Sequence, residues 1–367
     1  MSQKIKILHI IPNLNPGGAE NICYELLKNL PKDKFIGGVI LFKDEDKNFN
    51  ENSWINNLKN EGITIISQRK RFLFDFRNFY QLFKNIKKWQ PDIVHTHLGG
   101  DIYGRLAAKF AKIPVIISTE HNLNKQERIG ARILKTISAR FTDIIIAVSL
   151  AVKKDTIKRY GLKDNKVKII YNGIDLEKFK PETKKEKEQP LVFGSLGRLV
   201  PQKGFDVLLK AIPLTKRRDY LLKIGGAGKD KNILEKMIKD LKLQNRVSLL
   251  GQVEPISFLN SLDVFIISSY WEGFGLTAIE AGALNKPVIA SQIDGLAEII
   301  TEKTGWPFKS GSSLELAHQI DNIFDNWNTE IITEKIKVNY KNIEENFSTS
   351  KMTSDYINLY LSFAKKL

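Results

Sequence analysis

The sequence predicts an α/β protein with two doubly wound domains, each a parallel sheet covered by helices on both faces. Three observations predict it. Apolar runs of strand length alternate with amphipathic stretches of helix length along most of the chain. The alternation breaks once, at the charged, proline-bearing segment "KFKPETKKEKEQP" (178–190), and then starts again. The length of 367 residues corresponds to about two domains at ~150 residues each.

The elements follow in order. In the first half, strands are read at 5–11, 35–42, 63–67, 92–97, 114–119, 143–149 and 166–172, with helical stretches between most of them. These runs are continuously apolar, the mark of strands buried on both faces in a parallel sheet. After the break, strands are read at 190–197, 220–226, 246–251, 263–269 and 286–291, and the chain from about residue 312 reads as helix. This divides the chain into a first domain at 1–175, a linker at 176–189 and a second domain at 190–347. In such sheets ligands sit beyond the carboxyl ends of the strands, and the expected place is a cleft between the domains.

Composition narrows the class. A single cysteine, Cys23, permits no internal disulfide and fits a reducing compartment. The opening "MSQKIKILHIIPNL" has an apolar run too short for a signal peptide and reads as a first buried strand. No stretch approaches the ~20 apolar residues of a membrane span. The expected location is cytoplasmic, with a peripheral place on the inner face of the cell membrane. The net charge of +16 is uneven: residues 69–88 carry seven basic and one acidic residue, and residues 125–170 twelve and four. Within the first window, Phe72, Phe74, Phe76, Phe79, Tyr80 and Phe83 are mixed with Arg69, Lys70, Arg71 and Arg77. Aromatics interleaved with cations fit an anionic lipid surface; the plainer reading is an amphipathic core helix with a solvated basic side. Nucleic acid is not expected as a partner.

Three loops at strand ends in the second half carry matching chemistry. In "GSLGRLVPQKGFDVLLKAI" (194–212), Arg198 and Lys203 follow a strand and precede a helix, and a forked guanidinium with a point charge suits a diphosphate. An ordinary basic loop is the alternative. In "IGGAGKD" (224–230), Gly226 and its neighbours allow close backbone approach, but Lys231 stands where a dinucleotide fingerprint needs glycine. A tight turn explains it as well. In "YWEGFGLTAIE" (270–280), the turn Glu272, Gly273, Phe274, Gly275 runs into a helix at Leu276, whose first amides attract anions. Glu280 then lies about 7–8 Å along the axis at ~1.5 Å per residue. Two carboxylates accepting vicinal hydroxyls, with cations between, suit a nucleotide sugar; a capping Glu272 and a solvated or core-paired Glu280 is the bland alternative.

At this point a resemblance is plain. Gly197-Arg198 with Lys203-Gly204, then Glu272-Gly-Phe-Gly with Glu280 eight residues on, then "PVIAS", resembles the retaining glycosyltransferases of family 4, with the GT-B fold. "NPGGAE" (15–20), "PDIVHTH" (91–97), "TEHN" (119–122) and "YNGID" (171–175) agree in the first half. The resemblance implies transfer of a sugar from a nucleotide-diphosphate sugar, with retention, to a glycan or lipid-linked acceptor. It implies that Arg198 and Lys203 hold the diphosphate, Glu272 lies by the donor sugar, and Glu280 binds the ribose; Gly226, Gly273, Phe274, Gly275 and Leu276 are expected as further donor contacts. It places His121 at the transferred sugar, Gly17 and Gly18 near the phosphates and acceptor, and Asn172 at the crossing between domains. The C-terminal helix, about 348–367, is expected to pack back on the first domain.

No metal is expected, because cations and helix amides are available for the leaving diphosphate. The triplet Asp44-Glu45-Asp46 reads as solvated, and His95 and His97 as shaping the acceptor side. No cofactor is implied, and a UDP-sugar is placed ahead of GDP-mannose as substrate. Two departures from the family pattern are Asn285, where glycine is usual at a helix end, and Asp294, where a second glycine is common. The alternatives are an epimerase or phosphorylase of the same fold, or a non-catalytic membrane- or nucleic-acid-binding relative.

Overall fold

The computed structural model describes residues 3–15, 17–42, 54–68, 76–123, 129–181 and 190–364. Asp44-Glu45-Asp46, the aromatic and basic residues at 69–75, and most of the charged segment at 178–190 lie outside them. The chain separates into two compact units, one formed by Met1–Gly173 with Thr349–Leu367, the other by Ile174–Ser348.

The first unit holds β1 (Ile5–Ile11), α1 (Gly18–Lys28), β2 (Phe35–Leu41), α2 (Trp54–Asn60), β3 (Thr64–Ser67), α3 (Phe76–Trp89), β4 (Ile93–His97), α4 (Asp101–Phe110), β5 (Val115–Glu120), α5 (Ile129–Ala139), β6 (Ile144–Ala147), α6 (Leu150–Tyr160) and β7 (Val167–Ile169). The second holds β8 (Leu191–Leu196), α7 (Phe205–Ala211), β9 (Tyr220–Gly225), α8 (Lys231–Asp240), β10 (Val247–Gly251), α9 (Pro255–Asn260), β11 (Val264–Ile267), α10 (Leu276–Ala283), β12 (Val288–Ser291), β13 (Trp306–Phe308), α11 (Ser313–Asn326) and α12 (Glu330–Asn346). The last helix, α13 (Thr349–Ala364), belongs to the first unit and packs on α1.

Both sheets are parallel throughout, in the orders β3-β2-β1-β4-β5-β6-β7 and β10-β9-β8-β11-β12-β13. Each order reverses direction once, between β1 and β4 and between β8 and β11. In open parallel sheets, loops leaving the strands on either side of such a reversal diverge, and that is the usual ligand position. Strand β13 is absent from the sequence reading. It is three residues at the sheet edge and contains Pro307, which an edge position tolerates because no further strand needs its missing N–H.

The cores follow from the apolar runs. In the first unit Leu8, Ile10, Ile40, Val94 and Ile116 of the sheet pack on Leu82 and Ile86 of α3 and Ala107 and Ala108 of α4. In the second, Phe193, Leu222, Ile224, Ile266 and Ile289 meet Leu208, Leu234, Ile238, Leu316 and Ile320 from the covering helices. Such burial, about 25 cal/mol per Å² of apolar surface, is the main force holding each sheet to its helices. The segment 76–83 forms the start of α3, with Leu82 buried and Phe76 and Tyr80 exposed.

Candidate functional site

In the second unit the reversal between β8 and β11 brings together two loops that are far apart in sequence. The chain leaving β8 carries Arg198 and a 3-10 turn ending at Lys203; the chain leaving β11 carries Glu272 and enters α10. Lys203 Nζ donates to Glu272 Oε1 at 2.5 Å, and Ser269 Oγ donates to the same oxygen at 2.9 Å. Arg198 is exposed and forms no ion pair among the described residues. The predicted cationic pair therefore has one free guanidinium and one ammonium already held by a carboxylate.

The loops are locked by backbone contact at glycines. Gly204 has φ 60°, and a Cβ there would lie 2.1 Å from the Ser268 carbonyl oxygen. Gly226 has φ 136°, and a Cβ would lie 1.9 Å from the Gly197 carbonyl oxygen. The close approach read into "IGGAG" is thus an approach to the Arg198 loop: Gly226 lets the loops after β8 and β9 stack. Gly273 lies against Gly295 of the loop after β12 in the same way. Phe274, predicted as a donor contact, turns its ring inward, buried against Phe347 in an edge-on pair at 5.4 Å.

Helix α10 starts at Leu276, with Gly275 as its left-handed cap. Glu280 follows one turn along. Its carboxyl is partly buried and makes no side-chain hydrogen bond among the described residues. Burial pushes it up to about 7, and the charge of Lys203 pulls the other way. The nearby departures are also accounted for. Asn285, just past the helix, has φ 55°, and Asp294 has φ 33°, so both occupy the left-handed conformations where glycine is usual.

The first unit gathers four of the chain's five histidines. Parallel register sets His9 of β1 opposite His95 of β4, and the period of two in a strand puts His97 on the same face. His121 follows β5. Burial drives all four toward the neutral imidazole, His9 to about 3 and His121 to about 4, with His95 and His97 also well below the ordinary value. His97 bonds His9 and His121, while His95 bonds Tyr360 at 2.7 Å and Thr119 at 2.8 Å. An acceptor-side role is not what the surroundings of His95 support, because both ring nitrogens are taken by the interior. Asn172 is buried, and the N–H of Gly173 points to Met352 Sδ of α13. Gly17 and Gly18 cap and start α1 at the β1–β4 reversal.

Sequence reasoning missed the groups that brace His121. Glu120 beside it forms a buried pair with Arg105 at 3.0 Å, and Arg105 also donates to Ser118 at 2.7 Å. Asp101, one helical turn from Arg105, is pushed up to about 7 by burial, which Arg105 partly offsets. His9 and Cys23 were also missed; with His97 they are the one group among the described residues whose nitrogen and sulfur atoms lie within 4.8 Å of one another. The legible signal was the apolar frame around Arg105 and His9, where a polar residue needs partners.

Comparison with known proteins adds family evidence. A model of "Glycosyltransferase Family 4" matches residues 16–178, and one of "Glycosyl transferases group 1" matches 177–341, so the two run through both units. The chain is 29% identical over 317 residues to the Escherichia coli UDP-Gal:alpha-D-GlcNAc-diphosphoundecaprenol alpha-1,3-galactosyltransferase, covering 80% of each chain. It is 28% identical over 330 residues to the Staphylococcus aureus capsular polysaccharide biosynthesis glycosyltransferase CapM, covering 83% of this chain and 86% of that one. Among solved structures, a glycosyltransferase from Rickettsia africae superposes with a TM-score of 0.85 at 24% identity, over 99% of this chain and all of that one. Anabaena Alr3699/HepE in complex with UDP-glucose superposes with a TM-score of 0.83 at 21% identity, over 98% of this chain and all of that one.

Proposed function

The chain belongs to the family 4, group 1 glycosyltransferases, retaining enzymes of the GT-B fold, and from that premise we propose its substrates and the work of each site residue. The donor is a UDP-sugar. The acceptor is a lipid-linked or cell-surface glycan precursor. The observation that carries the donor site is the juxtaposition of Lys203, Glu272 and the unbonded Glu280 carboxyl at the β8–β11 reversal.

The roles follow from charge. Breaking the bond between sugar and phosphate builds negative charge on the leaving diphosphate. Arg198, Lys203 and the first amides of α10 stabilise that charge where it develops. They supply the positive charge that a divalent ion supplies in other transferases, so turnover is expected to survive a chelator. Lys203 is held by Glu272 until a diphosphate competes for it; Glu272 is then released toward the sugar hydroxyls. Glu280, once ionised, accepts the two ribose hydroxyls. His121 meets a substrate hydroxyl, braced by Glu120 and Arg105.

Support for a UDP donor comes from two relatives: the E. coli enzyme named for UDP-Gal and Alr3699/HepE solved with UDP-glucose. The diphosphoundecaprenol acceptor of the E. coli enzyme supports a lipid-linked acceptor here. The surface of the first unit supports peripheral membrane attachment. Ile129, Ile133 and Ile137 of α5 are exposed at one-turn spacing with Phe141, and Arg132 and Arg140 stand beside them. Apolar side chains ringed by cations suit an anionic bilayer surface.

Calorimetry with UDP, GDP, ADP and dTDP, with magnesium and with EDTA, tests the donor site. Binding of UDP that EDTA leaves intact is expected; binding only of another base, or only with metal, overturns this part. Co-sedimentation with anionic and with neutral liposomes at low salt tests the membrane part, which fails if the anionic liposomes do not retain the protein.

A further inference from the structure

Strand β11 runs out into two buried serines, Ser268 and Ser269, and each holds one side of the Lys203–Glu272 pair. Ser268 Oγ donates to the main-chain carbonyl of Lys203 at 3.1 Å. Ser269 Oγ donates to the Glu272 carboxylate at 2.9 Å. Ser269 is itself fixed from the next strand: its carbonyl accepts from Ser291 Oγ, at the end of β12, at 2.7 Å.

The two oxygens of the Glu272 carboxylate are not equivalent. Oε1 takes both bonds, from Ser269 at 2.9 Å and from Lys203 Nζ at 2.5 Å. A carboxylate oxygen offers about two lone-pair sites, so Oε1 is saturated. Oε2 makes no hydrogen bond among the described residues, and the side chain is sunk but not sealed, 11% exposed. The two groups that donate to Oε1 also differ in kind. Lys203 carries its charge on a flexible stem and can turn to a phosphate. Ser269 has no exposed surface, so no phosphate reaches it, and its short side chain stays where β11 and β12 put it.

We infer that Ser269 is a positioning residue. It keeps Glu272 Oε1 in place after Lys203 has turned to the diphosphate, and so presents Oε2 to a hydroxyl of the transferred sugar. The inference rests on the donor-site reading proposed above. Without the Ser269 hydroxyl, Lys203 is the one remaining partner of Oε1 among the described residues, and the carboxylate loses its orientation when that lysine leaves.

A crystal structure of the full chain with UDP gives the direct test. The expected result is Lys203 Nζ on a phosphate oxygen, with the Glu272 carboxylate still bonded to Ser269 Oγ. A carboxylate that has left Ser269 overturns the inference. Kinetics give the second test, as UDP release from UDP-galactose and from UDP-glucose, the nucleotide sugars named with two relatives. Ser269→Ala should lower kcat about 10- to 100-fold, the effect of one hydrogen bond to a charged group, with UDP affinity unchanged by calorimetry. Ser269→Cys, which keeps a weak S–H donor, should recover part of the loss. In a Glu272→Ala background, Ser269→Ala should cause no further loss, because the hydroxyl acts through the carboxylate. A full additive loss in that background, a Ser269→Ala variant as fast as wild type, or one that loses UDP affinity instead, overturns the inference. Should Ser269→Ala not fold, or neither sugar be turned over, the crystal structure decides. Wild-type protein that binds no UDP overturns the donor-site reading and this inference with it; UDP binding with additive losses overturns the inference alone.

Discussion

Replacing Glu280→Gln should stabilise the protein and weaken nucleotide binding at the same time. The carboxyl is partly buried, has no side-chain hydrogen bond among the described residues, and is pushed up to about 7 from an ordinary 4.5. Because the folded value is the higher one, the fold disfavours the ionised form. Stability is unaffected below the unfolded value and is lost as pH rises from there through about 7. A rise of about 2.5 units at 1.36 kcal/mol each gives ~3 kcal/mol at alkaline pH, an upper figure because water reaches part of the group. Glutamine keeps the shape and removes the charge. Chemical unfolding should show the variant more stable by up to about 3 kcal/mol at about pH 8.5, and equal to wild type within a few tenths at about pH 4. Calorimetry at the higher pH should show UDP binding about 10- to 100-fold weaker, the value of hydrogen bonds to a charged acceptor. A variant destabilised at every pH that still binds UDP normally would show Glu280 to be a structural group and refute the reasoning.

Four further outcomes follow. Arg198→Ala and Lys203→Ala should each lower kcat by about 10²–10³, in steady-state assays with saturating UDP-sugar, as expected for lost stabilisation of a leaving group. Gly226→Ala should lower unfolding free energy by several kcal/mol, measured by urea titration, because its Cβ would lie 1.9 Å from the Gly197 carbonyl oxygen. Glu120→Gln should cost about 3 kcal/mol in the same titration, since it removes the nearer of the two carboxylates around the buried Arg105 and leaves only Asp101, at 3.9 Å, to balance it. The depressed histidines predict acid sensitivity. Their unfolded forms bind protons near 6.5 and their folded forms only far lower, so stability is full above that pH and falls by about 1.4 kcal/mol per unit per histidine as pH drops toward 4. A flat profile between pH 6.5 and 5 would contradict this.

The candidate liganding residues could be picked out because their pattern is local. A glycine-rich turn before a helix, an arginine and a lysine after a strand, and two glutamates eight apart each declare a short-range geometry. Gly275 caps α10 as that spacing requires, and Asn285 takes the left-handed conformation expected where the pattern replaces glycine; Asp294 is left-handed as well, which its sequence did not announce. Other features were read at half strength. Gly226 was seen as making room for a ligand, yet the backbone it admits is that of Gly197; Phe274 was placed at the donor, yet its ring is core. A residue type tells that close approach or burial is needed, not against what.

By itself the sequence determined the class of fold, since the alternation of apolar strands with amphipathic helices is a local period that only a covered parallel sheet satisfies. It also determined which residue types stand at the strand ends. Tertiary structure decided which of those ends are neighbours. Lys203 and Glu272, 69 positions apart, share a proton-bearing contact because the sheet reverses its strand order between β8 and β11. His9, His97 and His121 form one line because β1, β4 and β5 lie side by side in parallel register. Crossover order and register are set by long-range packing across helices and sheet, and no window of sequence contains both partners.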